Sequence, residues 1–119
     1  MAAGDVTALK KYDGQIVAMH TAGTTVYLVT KNGELISYTI SGAATATVAH
    51  LNLPVSCIWA DATYIYIGTT TGRFVRYTIA TGANSKLAKW DSPITSICLL
   101  STLFYIGLAD GRLQSYATA

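Results

Sequence analysis

Moving the sequence along itself by 39 residues brings it into register twice without a gap. Gly33, Gly72 and Gly111 fall on one another, since 72 − 33 and 111 − 72 are both 39. The same shift superimposes Tyr38, Tyr77 and Tyr116, then Tyr27, Tyr66 and Tyr105, then Ile16, Val55 and Ile94. Pro54 aligns with Pro93, and Gln15 stands at that place in the first copy. A chain of 119 residues made of three copies of one unit is confined to folds in which a supersecondary element stacks on its own copies. A unit this small cannot bury its apolar face alone.

Each copy is a series of short β-type runs separated by turn signals. In the second, a run from Val55 to Trp59 precedes a turn at 60–63, a run from Tyr64 to Thr69, a tight turn ending at Gly72, and a run from Arg73 to Ile79. Residues 81–85 then break the chain before a last run from Lys86 to Trp90. The runs are rich in β-branched and aromatic residues, which suit a pleated surface. Asn32-Gly33 and Asp110-Gly111 are hairpin signals, because glycine accepts the positive φ that tight turns require. Four strands in ~40 residues is the spacing of a β-propeller blade. The expected fold is therefore all-β, with three four-stranded blades built on repeats 6–44, 45–83 and 84–119. A β-sandwich would explain the strand number but not the gapless register.

Half of the residues are hydrophobic and 12% are charged, against roughly 25% charged in an ordinary soluble domain. That balance excludes a disordered chain and demands burial, some of it against another chain, because a domain of this size buries only about two-thirds of its unfolded surface. A net charge of +2 does not by itself indicate nucleic acid. Residues 1–5 carry neither part of a signal peptide, and no apolar run approaches the ~18 residues of a membrane helix. A soluble, cytoplasmic protein is expected. Cys57 and Cys98 lack metal-site spacing and read as reduced, buried thiols.

From Pro93 to Ile97 the third copy resembles the first blade strand of the WD40 family, and from Tyr105 to Tyr116 it resembles that family's second and third strands. The resemblance covers nearly the whole chain. Tyr38, Tyr77 and Tyr116 stand at the family's Trp, and Thr39, Thr78 and Ala117 at its Asp. Lys11-Tyr12, His50-Leu51 and Lys89-Trp90 replace its Gly-His pair, so the hydrogen-bonded side-chain network of typical members is not expected. Kelch and quinoprotein-like propellers are alternative relatives. The resemblance implies a non-catalytic scaffold for protein–protein interaction.

Propellers close with four to eight blades as a rule. Three blades leave two apolar sheet faces, and faces of that size imply association. Two chains would give a six-bladed ring, so a homodimer is expected. The phase of the repeat adds a detail. Val6, Thr7, Ala8, Leu9, Lys10 and Lys11 align with the outermost strands of the other copies, whereas the third copy stops at a third strand containing Arg112, Leu113, Gln114, Ser115 and Tyr116. Strand 6–11 of one subunit is expected to complete the last blade of the other, pairing two open edges. A different protein supplying the other half-ring is the alternative.

Catalytic signatures are missing: there is no G-x-S-x-G, H-E-x-x-H, Walker or G-x-G-x-x-G motif. No enzyme activity, cofactor or metal is expected. His20 and His50 fall at different repeat positions, and His20, in the slot of Trp59 and Cys98, reads as a core or rim histidine. The recurring tyrosines read as blade core, with hydroxyls that need partners when buried. The segments entering each first strand are the candidate binding surface: Tyr12 and Asp13, Asn52, and Trp90 and Asp91. An aromatic beside a carboxylate or amide offers area and an acceptor, although Asp and Asn also simply favour turns. Lys10, Lys11, Lys86 and Lys89 lie on outer strands, where lysine protects an edge. With Arg73, Arg76 and Arg112 they form a weaker candidate for RNA or phosphate. Small-ligand or carbohydrate binding between blades is the other alternative.

Overall fold

The computed structural model describes residues 12, 14–42, 44–51 and 53–117. Strand 6–11 expected from the sequence, with Val6, Thr7, Ala8, Leu9, Lys10 and Lys11, and the loop residues Asp13 and Asn52, lie outside the described residues. Eleven strands form three sheets, with no helix among the described residues. The first sheet is β1 (Ile16–Ala22), β2 (Thr25–Thr30), β3 (Glu34–Thr39) and β4 (Ala44–His50), in that order. The second is β5 (Val55–Ala60), β6 (Tyr64–Thr69), β7 (Arg73–Thr78) and β8 (Asn84–Lys89). The third has three strands, β9 (Ile94–Leu100), β10 (Leu103–Leu108) and β11 (Leu113–Ala117). Every pairing is antiparallel between sequence neighbours.

The repeat extends into the irregularities. Each inner strand carries a bulge at one position, leaving Val17, Ser56 and Thr95 unpaired, and β3 and β7 shift register at corresponding places against β4 and β8. Bulges of this kind re-aim the strand and increase its twist. Gly33, Gly72 and Gly111 all adopt positive φ, at 85°, 88° and 94°, as their hairpin turns require. One boundary differs from the sequence expectation: β8 begins at Asn84, two residues earlier than Lys86. The Thr78 amide bonds to the Ala83 carbonyl and the Gly82 amide to the Thr78 carbonyl, closing the turn tightly enough for Asn84 and Ser85 to join the ladder.

The sheets stack through their inner strands, β1 on β5 and β5 on β9. Because side chains alternate across a strand, each blade has a forward face toward the next blade and a rear face toward the previous one. Val29 and Leu35 point forward from the first blade onto Ile65, Ile67, Val75 and Tyr77 of the second. Tyr66 and Phe74 point forward from the second onto Phe104 and Ile106 of the third, with the Tyr66 and Phe104 ring centroids 4.3 Å apart. The two blade interfaces are the hydrophobic core.

At the two ends of the stack the same positions change character. Leu35 and Phe74 are fully buried (0%), while their counterpart Leu113 is 73% exposed. Val55 and Ile94 are 8% and 0% exposed on rear faces, and their counterpart Ile16 is 43% exposed. Met19 is exposed beside it, whereas Leu28, Ile36 and Tyr38 farther out on the same face are buried.

Candidate functional site

The loops entering the inner strands and the turns joining the second and third strands of each blade share one end of the stack. The Lys31 amide donates to the Gln15 carbonyl at 2.7 Å, Thr70 to Pro54 at 2.8 Å, and Ala109 to Pro93 at 2.9 Å. This end carries Trp90 and Asp91, and the two do different things. Asp91 forms an ion pair with Arg112, whose Nε also donates to Asp110 Oδ2 at 2.8 Å. The guanidinium holds the Asp91 carboxyl below its ordinary range, and the two carboxylates raise Arg112. Tyr12 places its hydroxyl 3.1 Å from Thr45 Oγ1.

Trp90 acts as a strut. It is half-buried, packs in the core between the second and third blades, and has its ring centroid 6.4 Å from that of Phe74. Its amide donates to the Gly72 carbonyl at 2.8 Å. Its own carbonyl oxygen lies so close over Gly72 that a Cβ there would collide with it. Leu51 does the same over Gly33, its amide donating to the Gly33 carbonyl at 2.6 Å. Gly111 shares the conformation, yet nothing stands within 4 Å of the place of its missing Cβ.

The forward face of the third blade is a second surface, with Ser96, Cys98, Leu100, Leu113 and Ser115 exposed and Tyr105 half-buried. Both cysteines are free, but the expectation of two buried thiols holds only in part. Burial raises the Cys57 thiol to about 11, whereas Cys98 is exposed. The reason is the slot it shares with His20 and Trp59, which face a following blade. His20 Nδ1 lies 3.0 Å from the Ala60 amide, which donates to it, and 3.1 Å from the Ala60 carbonyl oxygen. Its ring centroid lies 5.1 Å from that of Trp59, the two planes tilted by 38°. His20 thus sits part-buried between blades, as the sequence suggested.

Sequence reasoning missed a packing device on this face. A Cβ on Gly68 would stand 2.7 Å from both Cys57 Sγ and Ile94 Cγ2, so the Ile94 side chain fills the space glycine leaves. The bulge hydroxyl of Ser56 donates to the Gly68 carbonyl at 3.2 Å and reaches the Ile94 carbonyl of the next blade. Gly107 repeats Gly68, and Thr95 repeats Ser56, donating to the Gly107 carbonyl at 3.1 Å. The glycine pair at 39-residue spacing was visible in the sequence; the isoleucine opposite it was not. Between the first two blades Val29 and Val55 occupy these places, and a cleft of about 450 Å³ opens at Gln15, Val17 and Pro54. Among the described residues no cluster of His, Cys, Asp and Glu could hold a metal ion, and no helix is long and apolar enough to cross a membrane.

Antiparallel four-stranded meanders stacked through their first strands are blades of a β-propeller. Solved structures agree. The chain is similar to the computationally designed Ika8 protein (TM-score 0.70, 18% identity over 86% of this chain) and to the designed Ika4 protein (TM-score 0.67, 12% identity over 99%). It is also similar to the N-terminal domain of Nup159, a β-propeller, at TM-score 0.66 and 20% identity over 87% of this chain. It spans 33% of the Ika8 chain, all of the Ika4 chain and 27% of the Nup159 domain. No protein-family model and no curated protein matches the sequence.

Proposed function

We propose that the chain is a non-catalytic protein-interaction scaffold whose blades close into a six-bladed, WD40-like ring with a second copy. The observation that supports it is the forward face of the third blade, which is made like an internal one and left open. Gly68 receives Ile94, Val29 meets Val55, and Gly107 has no opposite number among the described residues. Ile16, the isoleucine at the position of Ile94, is exposed at the far end of the stack. Glycine thus pairs with isoleucine and valine with valine, and Gly107 with Ile16 of a second copy completes the set. Leu113 would then lie against the half-buried Val26 of that copy, at the place Leu35 takes in the core between the first two blades. The space over Gly111, filled by Leu51 and Trp90 in the other blades, would take Tyr12 and draw strand 6–11 onto β11.

Such a ring presents each loop end twice, which suits bridging of partners, and fold alone does not assign the partner. The exposed Asp91–Arg112–Asp110 group is the polar feature of that end. Sedimentation velocity at micromolar concentration should give twice 12.6 kDa, and Leu113→Glu should return the chain to one copy. A wild-type protein that sediments as a single chain at these concentrations refutes the closure. Partners captured from the native cell by the ring should be reduced by Asp91→Ala, which leaves the core intact.

A further inference from the structure

A cleft of about 330 Å³ lies between the first two blades, away from both open faces. Its floor is Leu51, Leu53 and Val75, and its rim is His50, Arg73, Asn84 and Lys86. Three strands deliver the basic groups: His50 from the end of β4, Arg73 from the start of β7, and Lys86 from β8, opposite Val75. Arg73 is exposed, and its backbone amide donates to the buried Thr69 hydroxyl at 2.9 Å. Among the described residues no carboxylate lines the cleft, and both ion pairs belong to Arg112.

Arg112 shows what is missing. It occupies in the third blade the position of Arg73, and Asp91 and Asp110 neutralise it. The residues at those two positions one repeat earlier are Asn52 and Thr71. The arginine is common to both blades, both of the carboxylates at Arg112 have neutral counterparts one repeat earlier, and His50 and Lys86 stand around Arg73. Like charges held on neighbouring strands oppose each other, and an oxyanion from outside the chain relieves that. A guanidinium presents paired donors that match a carboxylate or a phosphate, and an ammonium adds point charge. The volume is at the small end of ligand sites, enough for a phosphoryl group and a few attached atoms.

We infer that this cleft binds a phosphoryl oxyanion, which takes at Arg73 the place that Asp91 and Asp110 hold at Arg112. The cleft lies within one chain, so the inference stands whether or not the ring closes.

Calorimetric titration at constant ionic strength tests it, with sodium chloride as the blank. Orthophosphate and phenyl phosphate in separate arms distinguish a bare ion from an ester. A saturable heat at one site per chain is expected in at least one arm. Arg73→Gln, which keeps the backbone bond to Thr69, should weaken it at least tenfold. Thr71→Asp removes no cation and supplies an internal carboxylate at the position of Asp110, and should weaken it as much. Lys31→Gln, on the turn between β2 and β3 and outside the cleft, should bind as the wild type does. No saturable heat in either arm overturns the inference. So does full binding by Arg73→Gln or Thr71→Asp, or an equal loss in Lys31→Gln, which would show a diffuse charge effect. Circular dichroism on each variant confirms that it is folded.

Discussion

Gly68 and Gly107 occupy one repeat position in different surroundings, so the same substitution should have opposite consequences at the two. At Gly68 an added Cβ lands 2.7 Å from both Cys57 Sγ and Ile94 Cγ2. Both atoms are held between packed blades, and overpacking of this kind costs about 1–3 kcal/mol. For a domain of this length each kcal/mol lowers the midpoint by about 4 °C, so Gly68→Ala should melt roughly 4–12 °C below the wild type. At Gly107 the nearest atom is Ser96 Oγ at 2.6 Å, the tip of an exposed side chain that can rotate away. In a single chain Gly107→Ala should therefore be neutral, or stabilising by about 0.4–1 kcal/mol through the unfolded state. In the ring the new methyl meets Ile16 of the second copy, and twofold symmetry makes this happen twice. The loss is then about 2–6 kcal/mol per dimer, a rise in dissociation constant of roughly 30-fold to 10⁴-fold. Thermal melts at a concentration where each chain is alone, together with sedimentation across a concentration series, read both effects. A Gly107→Ala protein that associates like the wild type would refute the pairing with Ile16, and an undiminished midpoint for Gly68→Ala would refute the packing it copies.

Gly72→Ala should be severely destabilising, since it combines positive φ with a collision at the Trp90 carbonyl. Gly111→Ala carries only the backbone cost of roughly 1–2 kcal/mol in a single chain, and urea midpoints should separate the two. Ellman's reagent at pH 8 should leave Cys57 unmodified in the folded protein, because a thiol raised to about 11 is roughly one part in a thousand ionised there, and reactivity needs the thiolate. Its rate should climb about tenfold per pH unit up to that value. Cys98 should react in dilute solution and become protected as concentration drives association; a concentration-independent rate would count against the covered forward face. Trp90→Ala should cost about 2 kcal/mol, near half the loss for a fully buried tryptophan, measured by chemical denaturation; a loss below a few tenths would show that the ring is not a strut.

The strand order, the three blades and the hairpin glycines were legible in the sequence because each rests on local chemistry: β-branched runs, Gly at positive φ, and a spacing that chance does not produce. The start of β8 was less so, since Gly82 looks like the end of a longer break, while the bonds joining Thr78, Gly82 and Ala83 are tertiary detail that composition does not show. The candidate surface was legible only as a place. The Tyr12 hydroxyl reaches Thr45, near the turn between β3 and β4 at the other end of the first blade, whereas Trp90 and Asp91 precede β9 at the loop end and look equally available in one dimension. What separates them is the carbonyl of Trp90 over Gly72 and the reach of Arg112, a residue 21 positions away from Asp91. The cationic cleft was fainter still, because His50, Arg73 and Lys86 come from three strands and form no motif.

Repeats that share one backbone frame make their differences informative. Where two copies differ and the residue opposite differs with them, as Val29 with Val55 against Gly68 with Ile94, the change is packing and needs no ligand. By that rule Gly107 asks for an isoleucine, and Ile16 is the one left exposed on an inner strand. Where two copies differ with nothing inside the chain answering, the balance must come from outside. Arg112 keeps two carboxylates and Arg73 has neither, and like charges gathered on neighbouring strands beside an apolar floor attract a counter-ion. The same comparison therefore assigns one surface to a second copy of the chain and the other to a small anion, and the two respond to different variants: Gly107→Ala should break the association and leave the anion bound, while Arg73→Gln should release the anion and leave the association intact.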